Sequence, residues 1–250
     1  MRFLFNNIIH NNILQYIKYR LAHRGSECQL VFNNHKIYVR KNSTDFKVVR
    51  SIFELDEFKT IAQLIHSKTR KTAGVVIDAG ANIGASSIRL SELFPNSIII
   101  AIEPDSNNWE LLKKNTEKIQ RIIPLKAALA AEISIRSIYK RGEDNYLGRT
   151  INPLAPGITG EHQTTRTTTI NTLQNDYKTQ TFQLLKCDVE GAELEIMQSC
   201  AAESFDAIFI ELHPQFDKSI NETWEKWTAG RNNSYESLEK VLSLKSRAPS

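Results

Sequence analysis

The fold is decided by residues 75–84, which read VVIDAGANIG. The short apolar run at 75–77 ends at an acid, Asp78, and this is typical of a buried parallel strand. The residues from Ala79 to Gly84 predict a tight turn, since glycines let the backbone approach another group closely. A helix from Ala85 to Phe94 is predicted to follow, because Pro95 cannot continue it.

The same order of strand, turn and helix continues along the chain. Further buried strands are predicted at 97–102, 122–125, 182–187 and 207–212, with helices at 106–119 and 191–199. Weaker strands are predicted at 133–139 and at 164–169, and a helix at 235–244. This alternation predicts an α/β fold of Rossmann-like type, with a mostly parallel central sheet and helices on both faces.

The predicted domain organisation has two parts. Residues 1–70 are interpreted as an N-terminal cap of helical and mixed structure, and residues 71–250 as the main domain. Within the cap, residues 1–20 carry scattered apolar residues that predict an amphipathic helix packed on the main domain. A peripheral contact with a membrane surface or with a second copy is the alternative for this helix. We expect no secretory signal and no membrane span, because the apolar residues are interrupted throughout.

Composition excludes several classes of function. The chain has 250 residues, a formal net charge of +4 and a pI near 8.9. Because no basic stripe interleaves with aromatic residues, we expect no nucleic-acid partner. Its cysteines, Cys28, Cys187 and Cys200, form neither a disulfide framework nor a zinc motif. A reducing, cytoplasmic location is the simplest expectation.

Acidic residues follow the predicted strands of the sheet. They are Asp78, Glu103, the pair Asp188 and Glu190, and Glu211, which His213 follows closely. Ligands of open parallel sheets bind outside the carboxyl ends of the strands. A buried carboxylate is costly unless something pairs with it. The pattern therefore predicts a ligand site at this edge of the sheet.

The turn and the second strand indicate which ligand. Glu103 ends the second strand, where an acid accepts hydrogen bonds from the ribose hydroxyls of an adenosine cofactor. Gly80 and Gly84 have the spacing G-x-x-x-G rather than the G-x-G-x-x-G of nicotinamide enzymes. Asp78, directly before the turn, would repel a pyrophosphate but suits an ammonium and a sulfonium. S-adenosylmethionine is therefore favoured, and a nicotinamide dehydrogenase is the weaker alternative.

Two blocks of sequence carry a family resemblance. The turn VIDAGANIG at 76–84 and the block KCDVEGAE at 186–193, with IEP at 102–104 and ELHP at 211–214, resemble the FkbM family of methyltransferases. The resemblance covers residues 43–214. It implies a class I methyltransferase fold and O-methylation of a hydroxyl on a sugar, glycolipid or natural product. The family continues into closing strands that are not evident here, so the C-terminal hairpin is expected to be incomplete.

The resemblance also implies roles for individual residues. The methionine side of the cofactor would be lined by Asp78, Gly80, Asn82 and Gly84. The ribose would be held by Glu103, next to Pro104, and the adenine bordered by Ala127 and Ala128. Asp188 would lie near the reacting methyl group.

Three residues are candidates for removing the proton of the acceptor hydroxyl. His213 comes first, because an ordinary imidazole pKa near 6.5 suits neutral pH, although a structural histidine is an equal alternative. Asp188 and Glu190 come next. Alternatively, Asp188, Glu190, Glu211 and His213 could hold a divalent cation, Mg²⁺ or Mn²⁺, which would lower the pKa of the hydroxyl.

The acceptor itself is not named by any residue. Residues 140–164, with Tyr146 and Arg149, are interpreted as an acceptor lid or as an ordinary mobile loop. Trp224 and Trp227 are expected to pack a helix, with stacking on a sugar ring as the alternative. A non-catalytic binding module within a larger biosynthetic assembly is the alternative function for the whole chain.

Overall fold

The computed structural model describes residues 14–23, 26–69, 72–142, 149–237 and 240–246. The N-terminal part begins with helix α1 at residues 14–21 and continues with a two-stranded hairpin and two helices. Its further elements are β1 (Glu27–Phe32), β2 (His35–Arg40), α2 (Asp45–Arg50), a π-helical turn (Ser51–Leu55) and α3 (Glu57–Thr69).

The central part alternates strands and helices, as predicted. In chain order its elements are β3 (Val75–Ala79), α4 (Ala85–Leu93), β4 (Ile98–Ile102), α5 (Ser106–Thr116) and β5 (Ile122–Leu125). A second, smaller sheet follows, formed by β6 (Ala128–Leu129), β7 (Ile135–Arg141), β8 (Arg149–Thr150) and β9 (Ile158–Thr168). We call the segment from β7 to β9, residues 135–168, the β-insertion.

The chain then completes the central sheet. The remaining elements are α6 (Ile170–Asp176), β10 (Phe182–Cys187), α7 (Glu193–Ser199), a 3₁₀ turn (Ala202–Ser204), β11 (Phe205–Glu211), α8 (Ile220–Trp227), β12 (Asn232–Ser237) and β13 (Lys240–Leu244). The central sheet has seven strands in the order β12-β13-β11-β10-β3-β4-β5. All neighbouring pairs from β11 to β5 are parallel, and only β13 runs antiparallel to its neighbours.

Alternation along the strands gives the sheet two buried faces. On β3, Val76 belongs to one core cluster, while Val75 and Ile77 belong to the other. The first cluster includes buried residues of α3, α4 and α5, and the second includes residues of α6, α7 and α8. Because successive side chains of a strand point to opposite faces, both faces need a helical layer. The predicted Rossmann-like class I methyltransferase fold is confirmed.

The two expectations about the C-terminus are wrong. The described residues of this stretch, 235–237 and 240–244, are strands and not a helix, and β12 and β13 pair as the closing strands of the sheet. The sequence does not predict β13 as a strand, because Lys240 and Ser243 interrupt its apolar residues. Ser243 is buried, and its hydroxyl oxygen accepts a hydrogen bond from Nε of Arg231 at 3.0 Å. A partnered hydroxyl is tolerated in a central strand, where a lone one would be costly.

The N-terminal part shares the first core cluster with the central sheet. Leu30, Ile37 and Val39 of its hairpin are fully buried in that cluster. The described part of α1 rests on α2, where the Tyr19 ring stacks on Phe46 at 4.4 Å between ring centroids. Residues 1–13 of the predicted amphipathic helix lie outside the described residues. The division of the chain at residue 70 stays a prediction.

Other sequence expectations can be placed on this fold. Within the described ranges, no helix combines the length and the apolar character required to cross a membrane. Cys28, Cys187 and Cys200 are free thiols. Trp224 is buried in the second core cluster, and Trp227 donates a hydrogen bond from Nε1 to the carbonyl of Cys200 at 2.7 Å. These contacts agree with helix packing for both tryptophans.

Candidate functional site

A cavity of about 460 Å³ lies where the strands β3, β4 and β10 end. Sites for small molecules usually measure about 300–1,000 Å³. Seven residues predicted from the sequence line it: Gly80, Asn82, Glu103, Pro104, Ala128, Asp188 and Glu190. The cavity is therefore at the sheet edge that the strand-end acids predicted. A further wall comes from Arg149, Thr150 and Ile151 of the β-insertion.

Glu103 is held in a fixed orientation at the end of β4. Its Oε2 accepts a hydrogen bond from the backbone N–H of Asn82 at 2.9 Å. Its Oε1 accepts from the N–H of Asp105 at 3.0 Å and from the side-chain amide of Asn108 at 3.3 Å. Burial is the main cause that raises the pKa of Glu103 to about 7, and the N–H donors of Asp105 and Asn82 oppose it.

The turn after β3 needs its glycines for two different reasons. Gly80 has φ of +76°, and a Cβ there would lie 1.8 Å from the backbone oxygen of Asp188. Gly84 has φ of +89°, and its Cβ would meet Cδ1 of Leu112 at 2.8 Å. Gly80 thus lets the turn lie against the end of β10, beside the cavity. Gly84 lets α4 lie close to α5. It does not line the cavity, so the structure places it away from the predicted cofactor contact.

Asn82 offers the cavity an unused acceptor. It has φ of 51°, a left-handed conformation that asparagine tolerates better than most residues. Its side-chain Oδ1 is buried and accepts no hydrogen bond from any residue that the structure describes. Buried polar atoms nearly always have a partner. This oxygen therefore fits a ligand that brings an N–H or O–H donor.

Asp78 is engaged with the protein and does not line the cavity. Its carboxylate is fully buried and pairs with Nζ of Lys186 at 3.1 Å. Its Oδ2 also accepts hydrogen bonds from the hydroxyls of Ser86 and Ser87, at 2.7 and 2.6 Å. Although burial opposes it, the charge of Asp78 raises the pKa of Lys186. The predicted direct contact of Asp78 with a cationic cofactor is therefore not supported by this geometry.

Of the two residues predicted to border the adenine, one lines the cavity and the other is buried in the core. Ala128 lines the cavity. Ala127 is buried in the core cluster that also contains Ile102 and Leu129. Pro104 lines the cavity directly after Glu103, as the resemblance implies.

The acids after β10 and β11 form a cluster around one histidine. We call Asp188, Glu190, Glu211 and His213 the acid cluster. His213 is buried, and its Nδ1 lies 2.7 Å from Oε1 of Glu193. Its Nε2 lies 3.8 Å from Glu190 and 3.9 Å from Glu211. Although burial would lower it, the hydrogen bond and charge of Glu193 raise the pKa of His213 to about 9.

Two members of the acid cluster face the cavity, namely Asp188 and Glu190, whereas His213 does not. Glu190 accepts a hydrogen bond from Nη1 of Arg141 at 2.9 Å and has φ of 55°. Burial, followed by the charge of Asp188, raises the pKa of Glu190 to about 7. Burial and then Asp188 also raise the pKa of Glu211. Since His213 does not line the cavity and its Nδ1 is held by Glu193, it is poorly placed to be the predicted general base, and the two carboxylates that line the cavity are better placed.

Three of the predicted metal ligands converge. Asp188, Glu211 and His213 offer ligand atoms that all lie within 4.8 Å of one another, and Glu190 is not part of that group. Carboxylate oxygens suit the predicted Mg²⁺ or Mn²⁺, whereas an imidazole nitrogen suits metals such as Zn²⁺ or Fe²⁺. Glu193, which holds Nδ1 of His213, has the position of the outer carboxylate that commonly orients a metal-binding histidine. The donor set therefore fits a divalent cation, and its presence stays a prediction.

Sequence reasoning missed several residues around the cavity. Residues 40–45, between β2 and α2, form one wall. Arg40 donates from Nη2 to the side-chain oxygen of Asn108 at 2.8 Å, and so reaches the hydrogen-bonding partner of Glu103. Asp105, which is buried behind Glu103, was also missed. The only sequence signal for Asp105 is its position before a helix, where aspartate is a preferred N-cap. Arg149 of the predicted lid lines the cavity, whereas Tyr146 lies outside the described residues.

Comparisons with solved structures find methyltransferases at low identity. An FkbM methyltransferase from Methylobacillus flagellatus KT is 13% identical, with a TM-score of 0.44 over 69% of this chain and 44% of that chain. A putative caffeoyl-CoA O-methyltransferase from Staphylococcus aureus is 11% identical, with a TM-score of 0.47 over 82% of this chain and 93% of that chain. The chain thus spans less than half the length of the first of these proteins. No curated protein sequence matches.

A family model gives the assignment. The model described as the methyltransferase FkbM domain matches residues 78–237. This range is more than half of the chain, and it includes Glu103, the β-insertion and the acid cluster. It begins at Asp78, next to the last residue of β3, and runs to the last residue of β12. The chain belongs to the FkbM methyltransferase family.

Proposed function

We propose that the chain is an S-adenosylmethionine-dependent methyltransferase that methylates a hydroxyl of a sugar, a glycolipid or a natural product. The observation that carries the proposal is the carboxylate of Glu103 at the cavity wall. Its Oε2 accepts one hydrogen bond from the described part of the chain, from the N–H of Asn82. An ionised carboxylate can accept about four in total. Because Oε1 already accepts two hydrogen bonds, from Asp105 and Asn108, Oε2 keeps room for a ribose hydroxyl of an adenosine.

The residues present fit S-adenosylmethionine better than a dinucleotide. The unused oxygen of Asn82 accepts hydrogen bonds and suits an ammonium donor. Asp188 brings negative charge to the cavity, which favours a sulfonium and disfavours a pyrophosphate, whereas the charge of Glu190 is balanced by Arg141. Asp78 does not contribute to this choice directly, since Lys186 neutralises it. The selection against phosphates comes from the acid cluster instead.

The proposed mechanism assigns simple tasks to the residues of the chain. When bound, the cofactor supplies a methyl group that its sulfonium has already activated. Glu103 holds the adenosine end and Asn82 the methionine end, and alignment of this kind can contribute about 7–11 kcal/mol to lowering the barrier. Glu190 or Asp188 accepts the proton of the acceptor hydroxyl, which adds roughly 10²–10⁴-fold. His213 and Arg141 are placed to support Glu190 through their positive charges.

A divalent cation is the alternative means of activating the hydroxyl. Asp188, Glu211 and His213 would hold it, and it would lower the pKa of a coordinated hydroxyl. Titration of the chelator-treated protein with Mn²⁺, followed by electron paramagnetic resonance, tests this without an assay of activity. Stoichiometric binding that is lost in His213→Asn supports the cation. Binding no tighter in the wild type than in His213→Asn leaves the carboxylates as the bases.

Calorimetry tests the proposed cofactor. The wild type is expected to bind S-adenosylmethionine and S-adenosylhomocysteine and not NAD⁺. Glu103→Ala should weaken both by about 100-fold, because charge-assisted hydrogen bonds contribute about 1.5–3 kcal/mol each. Glu110→Ala is the matched control, since Glu110 lies on α5, the helix that follows Glu103, and has a largely exposed side chain. Tight binding of NAD⁺, or an unaffected Glu103→Ala variant, would contradict the proposal.

Transfer of a labelled methyl group tests the acceptor class. We expect label from S-adenosylmethionine to appear as an O-methyl group on glycosides or hydroxylated natural products, identified by nuclear magnetic resonance. N-methylated products would contradict the proposed hydroxyl acceptor. The alternative of a non-catalytic binding module predicts cofactor binding without transfer to any acceptor. An incomplete C-terminal hairpin would favour this alternative, but β12 and β13 are paired in the sheet.

A further inference from the structure

Asp105 makes more contacts than its position requires. It is buried at the N-terminus of α5, where its Oδ1 accepts hydrogen bonds from the N–H groups of Asn107 and Asn108, both at 2.9 Å. This is the ordinary work of an N-cap, and one side-chain oxygen is enough for it. A serine or threonine would serve equally well. The second carboxylate oxygen therefore calls for another explanation.

That second oxygen, Oδ2, faces the β-insertion. It accepts a hydrogen bond from Nε2 of Gln163 at 2.9 Å, and Nε2 of His162 lies 2.9 Å away. The guanidinium of Arg149 also contacts it. All three partners belong to the β-insertion, and Arg149 lines the cavity. A single buried carboxylate oxygen thus contacts residues of two strands of that wall, β8 and β9.

The other side of Asp105 is tied to Glu103. The backbone N–H of Asp105 donates to Oε1 of Glu103 at 3.0 Å. Asn108, which Asp105 caps, donates from its side chain to the same oxygen at 3.3 Å. An unbroken series of contacts therefore runs from Glu103, through Asp105, to Arg149. Because buried carboxylates and guanidinium groups are costly when unpaired, neither end can move independently without losing a partner.

We propose that Asp105 is a positioning residue that couples Glu103 to the β-insertion, so that cofactor bound at Glu103 orders the wall that carries Arg149. This inference rests on the proposed function, because it needs the adenosine end of the cofactor at Glu103. A ligand that fixes the loop 103–108 reduces the mobility of Asp105, and through it that of β8 and β9. Coupling of this kind requires contacts but no change of shape.

Hydrogen exchange with S-adenosylhomocysteine as the probe tests the coupling. In the wild type, the ligand should slow amide exchange in β4 and α5 and also, by about threefold or more, in residues 149–151 and 158–163. Asp105→Ser keeps a cap on α5 but is too short to reach Gln163. In this variant the ligand should still protect β4 and α5, whereas protection of the β-insertion should disappear.

A matched variant separates coupling from simple loss of a cap. Thr169 caps α6 by accepting a hydrogen bond from the N–H of Thr172 at 3.1 Å. Thr169→Ala should lower the melting temperature while ligand-dependent protection of the β-insertion stays at the wild-type level. Gln163→Ala removes one partner of Asp105 from the opposite side, and it serves if Asp105→Ser does not fold. It should reduce the protection at residues 158–163 by about half, because one of the contacts is lost.

The outcomes distinguish this inference from the function on which it rests. A wild-type protein that does not bind S-adenosylhomocysteine contradicts the proposed function. A wild type that binds it without protection of β8 and β9 overturns the coupling alone. Equal protection in the wild type and in Asp105→Ser, or in Gln163→Ala if that variant is used, also overturns it and leaves Asp105 as a helix cap.

Discussion

The surroundings of Glu103 and the acid cluster are both built from strand-end carboxylates, but they are satisfied in opposite ways. Glu103 is held by neutral donors, namely two backbone N–H groups and one amide. The acid cluster is held by charges, with Arg141 on Glu190, Lys240 on Glu211 and His213 among the carboxylates. Neutral hydrogen-bond donors orient the carboxylate of Glu103 without cancelling its negative charge. In the acid cluster, the positive and negative side chains balance one another's charge.

This difference separates binding from chemistry. A carboxylate fixed by N–H groups presents the same face to every ligand, which suits recognition of an adenosine. Burial raises the pKa of Glu103 and of Glu190 alike to about 7, so their surroundings and not their pKa values distinguish them. The comparison supports the proposal that the end of β4 recognises the adenosine and that the carboxylates after β10 accept the proton.

The largest effect is expected where the two regions touch. In Gly80→Ala, the new Cβ would lie 1.8 Å from the backbone oxygen of Asp188, so the turn and β10 cannot both keep their positions. We expect a loss of stability on the order of 4 kcal/mol or more in urea unfolding. Gly230→Ala is the control, since Gly230 has φ of +80° with nothing within 4 Å. It should lose only about 1–2 kcal/mol. Equal losses would mean that close contact between the two regions is unimportant.

The next effect tests whether Asp78 supports the fold or the ligand. Lys186→Met leaves the buried carboxylate of Asp78 without its cation, and we expect a loss of about 3–5 kcal/mol in unfolding free energy. The double variant with Asp78→Asn should recover part of it, because no charge remains. Affinity for S-adenosylhomocysteine in that double variant should stay within about threefold of the wild type. If the double variant lost its affinity for S-adenosylhomocysteine but kept wild-type-like stability, Asp78 would have to contact the cofactor.

A smaller effect concerns pH at the recognition end. The pKa of Glu103 is raised to about 7, so the carboxyl is protonated below that pH and ionised above it. Ribose hydroxyls donate best to the ionised form. Affinity for S-adenosylhomocysteine should therefore increase by up to about tenfold between about pH 6 and pH 8. Glu103→Gln should bind more weakly and lack this increase when measured by calorimetry in parallel. An identical pH dependence in both proteins would show that another group titrates.

The smallest effect concerns the free acceptor in the turn. Asn82→Gly keeps the positive φ and removes the unused side-chain oxygen. Loss of one hydrogen bond to the ligand should weaken S-adenosylhomocysteine binding by about three- to tenfold. The melting temperature should change little, since glycine adopts this conformation freely. Unchanged affinity would place the ligand away from the turn.

The parts of the fold that could be predicted from sequence are those with local signals. The strands β3, β4, β10 and β11 are apolar runs that end at an acid, and each is confirmed. β13 was missed because Ser243 interrupts it, and only its distant partner Arg231 makes that serine tolerable. In the β-insertion the sequence predicts β7 and the end of β9, whereas β8 and the first part of β9 lie in the stretch predicted to be irregular.

The site shows the same limit. Glu103, Asn82, Asp188 and Glu190 line the cavity because topology brings strand ends together, and strand ends can be found in a sequence. Asp78 looks like the others in sequence, but its charge is taken by Lys186, which lies opposite it in the register of β3 and β10. The link from Asp105 to Arg149 depends on contacts across the insertion, for which the sequence offers no pattern.

The central claim is that Glu103 binds the ribose of an adenosine cofactor while the acid cluster faces its sulfur. A crystal structure with S-adenosylhomocysteine tests it most directly. The account predicts a ribose hydroxyl within about 3.2 Å of Oε2 of Glu103 and the sulfur directed towards Asp188 and Glu190. A ligand bound elsewhere, or one whose ribose points away from Glu103, would contradict the account.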